Sequence, residues 1–161
     1  MTQSFDDIQS AATSTLAAAG TGLEIAENCG WACAWLEACG YKGIAMLLEA
    51  LDETPPERRQ PELIWKLGGV NGGGVSAVFL APALMRLAQE KGRITYRNTR
   101  HGLYLLPFTV RANIGIGCPV DPAFHIGGER DKNPYAEKLE LARANGLTPD
   151  PELWLRLTAR V

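Results

Sequence analysis

A glycine-rich loop at residues 67–76 constrains the fold of this chain more than any other feature. Five of the seven residues from 68 to 74 are glycine, and glycine gives up side-chain packing in exchange for backbone freedom. Such a segment predicts a turn that either binds a ligand or only redirects the chain. It contains no Gly-Lys-Ser or Gly-Lys-Thr sequence, which excludes an ordinary phosphate-binding loop.

Bulk composition restricts the partners and the compartment. The 161 residues suffice for one domain, and the net charge is -2 with scattered Lys and Arg. A basic patch for nucleic acid or an anionic membrane is therefore not expected. The acidic N-terminus is unlike a secretory signal, and the longest apolar run, Val75 to Leu84, is too short to cross a bilayer. We expect a cytoplasmic protein that binds neither nucleic acid nor membrane.

The four cysteines predict structural thiols. Cys29, Cys33 and Cys39 fall within one helical stretch, and Cys118 stands alone. The chain has no Cys-x-x-Cys pair, and no histidine lies near these thiols in sequence to complete a zinc site. The expectation is free thiols in a reducing compartment and no metal site, and the sequence identifies no cofactor.

The first 52 residues predict a helical part. Apolar side chains recur at the helical period from about Phe5 to Ala19 and again between Gly22 and Gly40. A third, shorter helix is expected from about Lys42 to Leu51. A charged, proline-rich connector at residues 53–61 ends this part.

The mixed part, residues 62–161, completes one domain. Apolar segments predict a small mixed or antiparallel sheet, with strands in the regions of Leu63, Val75, Ile94, Leu103 and Val110. Pro82 suits the first position of a helix, so regular helix is expected only from there. Residues 115–133 are rich in glycine and proline and predict an irregular loop. Two C-terminal helices follow, and the fold class is α+β with a helical N-terminal layer.

Two resemblances to known families accompany these patterns. The alanine-rich start, with residues 76–84 (SAVFLAPAL) and 105–112 (LLPFTVRA), resembles a bacterial family defined only as a domain of unknown function. That resemblance implies a cytoplasmic bacterial protein without an established activity. Residues 16–51 are similar to the helical N-terminal part of the malate and L-lactate dehydrogenases that lack the usual Rossmann domain. That family carries Asp-Ser-His-Gly after its second helix, whereas residues 40–47 here read GYKGIAML, so the activity is not expected to carry over.

The glycine-rich loop is the predicted ligand-binding site, through Gly72, Gly73, Gly74 and Ser76. Gly72-x-Gly74-x-x-Ala77 fits the looser dinucleotide-binding pattern. That pattern requires a helix that begins at the loop, so that its N-terminus faces the ligand. Because Pro82 moves the predicted helix several residues later, we favour a structural or hinge role, with cradling of a small anion as the alternative.

A second set of candidates applies only if the protein is an enzyme. His101 lies in a polar turn, where an imidazole is accessible for acid-base chemistry. The loop that follows residue 117 brings together Cys118, Asp121 and His125. Their spacing matches no zinc pattern, and a Cys-His pair usually comes from separate parts of a fold. Solvated loop residues are therefore the simpler interpretation, and the catalytic candidates are His125, Cys118, Asp121 and His101.

Trp31 and Trp35 predict a covered or interacting surface. They lie away from the apolar stripe of the second helix, on the side that carries Glu24 and Glu27. Either the third or the C-terminal helix covers them, or they anchor a partner, for which tryptophan is well suited. Two-fold self-association is the commonest arrangement, so a homo-oligomer is expected.

The leading functional hypothesis is a cytoplasmic binding or interaction protein, with a small anion or metabolite at the glycine-rich loop. The alternative is a small metabolic enzyme that uses the histidine-containing loops. The two differ structurally. An enzyme requires His101 or His125 to converge on the glycine-rich loop in a pocket, whereas an interaction protein requires an uncovered apolar patch that includes tryptophan.

Overall fold

Three helices form the N-terminal layer, as the sequence predicts. The computed structural model describes residues 1–67, 69–117, 123–130 and 132–160. Its first helices are α1 (Phe5–Ala18), α2 (Leu23–Ala38) and α3 (Gly43–Glu53). A short 3-10 turn, Pro56–Arg58, lies in the connector.

Local sequence explains where α1 begins and how it packs on α2. The Ser4 hydroxyl accepts from the Asp7 N–H, and the Asp7 carboxylate accepts from the Ser4 N–H, both at 3.0 Å. At Gly30 the two helices meet so closely that a Cβ would lie 2.0 Å from Thr13 Oγ1. Glycine at this position allows the helix pair to approach.

A mixed sheet fills the second part of the chain. Within the described residues it has five strands in the order β1-β2-β3-β5-β4. They are β1 (Trp65–Lys66), β2 (Gly69–Asn71), β3 (Arg93–Arg97), β4 (Ile114–Ile116) and β5 (Ala123–Glu129). β2 runs parallel to β3, and the other neighbouring pairs are antiparallel.

Four helices pack around this sheet and the N-terminal layer. They are α4 (Ala77–Lys91), α5 (Leu106–Arg111), α6 (Ala136–Asn145) and α7 (Pro151–Thr158). A second 3-10 turn, Gly102–Leu105, leads into α5. Side chains from both parts of the chain form one buried cluster. The α+β fold class and the two C-terminal helices are confirmed.

Three predicted strand regions are wrong. Val75 leads into α4, Leu103 lies in a 3-10 turn, and Val110 lies in α5. These segments are buried on most sides, so their apolar residues show no periodicity that separates helix from strand. The Ile94 region does form β3, and the strand expected near Leu63 begins at Trp65.

The prediction that helix begins at Pro82 is also wrong, because Pro82 lies inside α4. Ser76 caps this helix, with its Oγ accepting from the Val78 N–H at 3.2 Å. A proline inside a helix leaves the carbonyl four residues earlier without its usual donor. The Cys29 thiol replaces that donor, 2.9 Å from the Val78 carbonyl, so a contact with α2 makes the internal proline tolerable.

The predicted irregular loop at residues 115–133 instead contributes to two strands. β5 pairs with β3 over five residues, and β4 pairs with β5. Glycine at 127 reflects this close pairing rather than a loop, because a Cβ there would lie 2.2 Å from the Gly92 carbonyl oxygen. No helix in the described part of the chain is long and apolar enough to span a membrane.

Candidate functional site

The glycine-rich loop connects β2 to α4 and is fastened to the segment after β3. Its N–H groups donate within the chain: Gly72 to the Arg97 carbonyl (2.8 Å), Gly73 to Asn71 Oδ1 (2.9 Å), Gly74 to the Asn98 carbonyl (2.7 Å) and Ala77 to the Arg100 carbonyl (2.7 Å). Gly73 and Gly74 have φ angles of +61° and +79°, which glycine adopts without strain. An anion at this loop would have to displace existing hydrogen bonds.

Ser76, His101 and Glu49 form a hydrogen-bonded chain, which we call the Ser76 relay. Ser76 Oγ lies 2.8 Å from His101 Nδ1, and Glu49 Oε2 lies 3.1 Å from His101 Nε2. Because the Glu49 carboxylate only accepts, His101 Nε2 carries the hydrogen that donates to it, and in the neutral imidazole Nδ1 then accepts from the Ser76 hydroxyl. The structure thus brings two predicted residues together and adds Glu49, which the sequence analysis missed.

The Ser76 relay contains the same groups as a Ser-His-acid triad, but here the carboxylate is the exposed end and the serine is the buried end. The Glu49 side chain is 58% exposed, the His101 side chain 8% and Ser76 2%. In a serine hydrolase the hydroxyl faces the substrate and the carboxylate is buried. The loop N–H groups that could stabilise an oxyanion are already bonded. The relay joins α3, the glycine-rich loop and the start of α4.

His125, another catalytic candidate, does not join this relay. His125 lies on β5, where its Nδ1 is 2.9 Å from Thr95 Oγ1 on β3. Thr95 and His125 are directly opposite each other in the β3–β5 pairing, and the hydrogen bond between their side chains is exposed to solvent. Cys118 and Asp121 lie outside the described residues. Within residues 1–67, 69–117, 123–130 and 132–160, no group of three or more His, Cys, Asp or Glu side chains forms a metal-binding arrangement.

The three described cysteines are buried free thiols. Burial raises the pKa of Cys29 and of Cys33 well above the ordinary range and raises that of Cys39 to about 11. Thiolates are the reactive form of cysteine, so these side chains are suited to packing rather than to nucleophilic chemistry.

The two tryptophans of α2 are covered by neighbours that the sequence did not indicate. Trp35 is 2% exposed and packs on Tyr135, with ring centroids 5.0 Å apart. Trp31 is half-buried and meets Phe108 of α5 edge-on at 5.8 Å. The cover therefore comes from α5 and from the residue before α6.

Arg111 lies on the aromatic corner made by Trp31 and Phe108. Its Cζ is 4.2 Å from the Trp31 ring centroid and 5.3 Å from that of Phe108, within the range of cation–π attraction. Asn28 orients the guanidinium. The Asn28 Nδ2 donates to the Glu24 carbonyl at 2.8 Å, and its Oδ1 accepts from Arg111 Nη2 at 3.2 Å.

This corner borders a cleft of about 380 Å³ between α2, α4 and α5, which we call the Arg111 cleft. Its lining residues are Glu24, Asn28, Pro82, Met85, Arg86, Gln89, Phe108, Arg111 and Ala112. The volume is within the range of small-molecule sites.

The two arginines of the Arg111 cleft differ in charge compensation. Arg86 pairs with Glu24. Arg111 forms no ion pair with any side chain in the described part of the chain, and partial burial lowers its pKa from the ordinary value. A guanidinium carries five N–H donors, of which one has a described acceptor here. Arg111 is therefore an exposed cation, oriented by Asn28 and two aromatic rings, with donors left for a ligand.

Sequence analysis missed the Arg111 cleft because its residues come from separate helices. Asn28 and Arg111 are 83 positions apart, and neither belongs to a motif. The sequence signal that could have indicated this site was a cation, Arg111, within the apolar segment around Val110. Its meaning depended on recognising that segment as a helix.

Fold and cleft together define an α+β protein with an exposed arginine at a small cleft, and this arginine has no acidic partner in the part of the chain that the structure describes. No protein-family model matches the chain, and no curated protein matches it. Among solved structures, the chain is similar to a malate dehydrogenase from Entamoeba histolytica, with 17% identity and a TM-score of 0.47. The match covers 72% of this chain and 38% of that one, so the chain spans well under half of its length.

Proposed function

We propose that this chain is a binding protein of the bacterial cytoplasm that holds a small carboxylate-bearing molecule in the Arg111 cleft. The observation that carries the proposal is the Arg111 guanidinium, fixed by Trp31, Phe108 and Asn28 and lacking an acidic partner among the described residues. A carboxylate complements the planar donor set of arginine. This proposal keeps ligand binding as the function but assigns the ligand to this cleft rather than to the glycine-rich loop.

The energetics favour a ligand at this position. The Arg111 side chain is exposed and has no acidic partner among the described residues, so a carboxylate can reach its donors without displacing a salt bridge. Trp31 and Phe108 restrict the side chain before binding. Preorganisation of this kind raises affinity by reducing the entropy lost on association.

Isothermal titration with sodium acetate and sodium butyrate tests the proposal. The central variant is Arg111→Gln, which keeps a polar side chain but removes the cation. The matched control is Arg143→Gln, because Arg143 also lies over an aromatic ring, 4.1 Å from the Phe5 centroid, but has Asp6 as an acidic neighbour at 4.0 Å.

We expect Arg111→Gln to weaken carboxylate binding about tenfold or more, as loss of a charged hydrogen-bonding partner predicts, and Arg143→Gln to leave it unchanged. Equal effects of the two substitutions, or binding that Arg111→Gln does not reduce, would contradict a site at Arg111.

The alternative function, a small enzyme, is supported by the Ser76 relay. Its geometry satisfies the distance criteria for an activated serine, whereas its burial and the bonded loop argue against it. A fluorophosphonate probe separates the two functions. Labelling of native protein that Ser76→Ala abolishes would establish a nucleophile, and the binding proposal expects no labelling of Ser76.

The expected homo-oligomer is a separate proposal. Its support now lies at β1, an edge strand of the sheet, which Ile64 and Leu67 flank with largely exposed side chains. Light scattering of the wild type and of Leu67→Lys tests it. A larger mass that falls to that of one chain in the variant would support association through this edge.

A further inference from the structure

A second cavity adjoins the Arg111 cleft along α4. It has a volume of about 260 Å³, and Glu24, Pro82 and Arg86 line both spaces. The two cavities are therefore neighbouring halves of one groove. The boundary between them is the Glu24–Arg86 ion pair above Pro82.

The two halves differ in chemistry. The Arg111 cleft presents the polar side chains Asn28, Gln89 and Arg111. The second cavity has a mainly apolar lining, from Leu23, Ile25, Pro61, Phe79, Pro82 and Ala83, beside Thr21, Gly22, Gln60 and the shared Glu24 and Arg86. Leu23 is 69% exposed and offers apolar surface that a hydrocarbon chain could cover.

The ion pair at the boundary can open at low cost. The side chains of Glu24 and Arg86 are 56% and 62% exposed, and exposed pairs of this kind contribute little to stability. Pro82 presents an apolar ring beneath them, buried within α4. A ligand can thus cross from one half to the other over an apolar floor.

We infer that the ligand of the Arg111 cleft is an amphiphilic monocarboxylate, whose carboxylate binds Arg111 and whose hydrocarbon chain extends over Pro82 into the second cavity. The inference rests on the proposed function and names its ligand class. Residues 83 to 89 of a helix span about 9 Å, which suits a chain of about eight carbons. Arg111, which has no acidic partner among the described residues, lies at one end of the groove, and the mainly apolar lining beyond the Glu24–Arg86 pair disfavours a second carboxylate at the other end.

Titration with matched acids tests this class of ligand. The probes are butyrate, hexanoate and octanoate, together with suberate, which has the length of octanoate but a carboxylate at both ends. We expect each buried methylene to tighten binding about fourfold, so that octanoate binds more tightly than butyrate. Suberate should bind more weakly than octanoate, because its second carboxylate would enter the apolar half.

The substitution Ala83→Phe tests where the hydrocarbon chain of the ligand binds. Ala83 lines the second cavity but not the Arg111 cleft, so a larger side chain there fills the apolar half alone. We expect Ala83→Phe to bind butyrate as the wild type does and to lose the gain from butyrate to octanoate. Unchanged butyrate affinity also shows that the variant is folded.

The outcomes separate this inference from the proposed function. Arg111-dependent binding without a chain-length effect, or with suberate tighter than octanoate, overturns the amphiphile and leaves the anion site. A chain-length effect that persists in Ala83→Phe overturns the placement of the chain. Binding of every acid unaffected by Arg111→Gln overturns both.

Discussion

The glycine-rich loop and the Arg111 cleft both border α4, yet they differ in how completely their polar groups are satisfied. In the loop, Gly72, Gly73 and Gly74 donate to acceptors of the same chain, and Ser76 is tied to His101. In the cleft, Arg111 has one described acceptor and no acidic partner among the described residues.

If the proposed function is correct, this difference separates a structural turn from a binding site. Buried polar groups that bond to one another stabilise the fold and leave nothing for a ligand. A fixed cation with remaining donors retains binding capacity. Substitutions in the loop should therefore change mainly the stability of the protein, and substitutions in the cleft should change mainly its affinity for a carboxylate.

The largest expected effect on stability is at Gly72. A Cβ there would lie 2.2 Å from Thr99 Oγ1 and 2.9 Å from the Asn98 carbonyl oxygen. We expect Gly72→Ala to lower the free energy of unfolding by about 3 kcal/mol, at the upper end for overpacking. Urea denaturation measures this loss.

Gly74→Ala is the matched comparison for that substitution. A Cβ at Gly74 meets nothing within 4 Å, so only its left-handed backbone conformation matters. The expected loss is about 1 kcal/mol. If both alanines cost the same, close approach to residues 98 and 99 is not the reason for glycine at position 72.

A smaller loss is expected from Ser76→Ala. Removing the cap of α4 should cost about 1 kcal/mol, and His101 loses the partner of its Nδ1. Because both residues belong to one hydrogen-bonded chain, Ser76→Ala combined with His101→Gln should cost less than the sum of the two single substitutions. Additive losses in a double-mutant cycle would show that the relay does not act as a unit.

At Arg111 we expect the opposite pattern, with little loss of stability. Arg111→Gln removes a partly exposed cation–π contact, worth less than about 1 kcal/mol. Thermal denaturation without ligand checks this, and the titrations provide the affinity. A large loss of stability would make Arg111 a structural residue and weaken the contrast between the two regions.

The smallest effect concerns pH, through Glu37 on α2. Its carboxylate accepts from the Ile44 N–H at 2.8 Å, and burial raises its pKa. The folded state then holds this proton more tightly than the unfolded state. The stability associated with Glu37 therefore falls as pH rises above about 4.3, the unfolded value, and levels off above the raised pKa.

Glu37→Gln should flatten that dependence in urea denaturation between about pH 4 and about pH 8. Carboxylate binding at Arg111 should remain constant between about pH 6 and about pH 8, because arginine stays charged. If the affinity for carboxylates instead changed with pH over the range in which Glu37 ionises, the cleft would be coupled to the N-terminal layer.

The N-terminal helices and the last two helices were predictable because their signals are local. The Ser4 capping box, the apolar spacing of α1 and α2, and the ends of α6 depend on residues within a few positions of one another. The α+β class followed from the same patterns. In the middle of the chain, Val75 is buried, and Leu103 and Val110 are half-buried against the same core, so periodicity could not identify their structure.

Sequence by itself thus determined the helical layer, the fold class and the importance of the segment that contains Ser76. Only tertiary structure decided that Pro82 lies within a helix, because its tolerance depends on a thiol from α2. It also decided that the N–H groups of Gly72, Gly73 and Gly74 are bonded within the chain, whereas Arg111 retains donors without a described acceptor. Hydrogen-bond satisfaction depends on partners distant in sequence, as with Asn28 and Arg111, and local patterns carry no information about such partners.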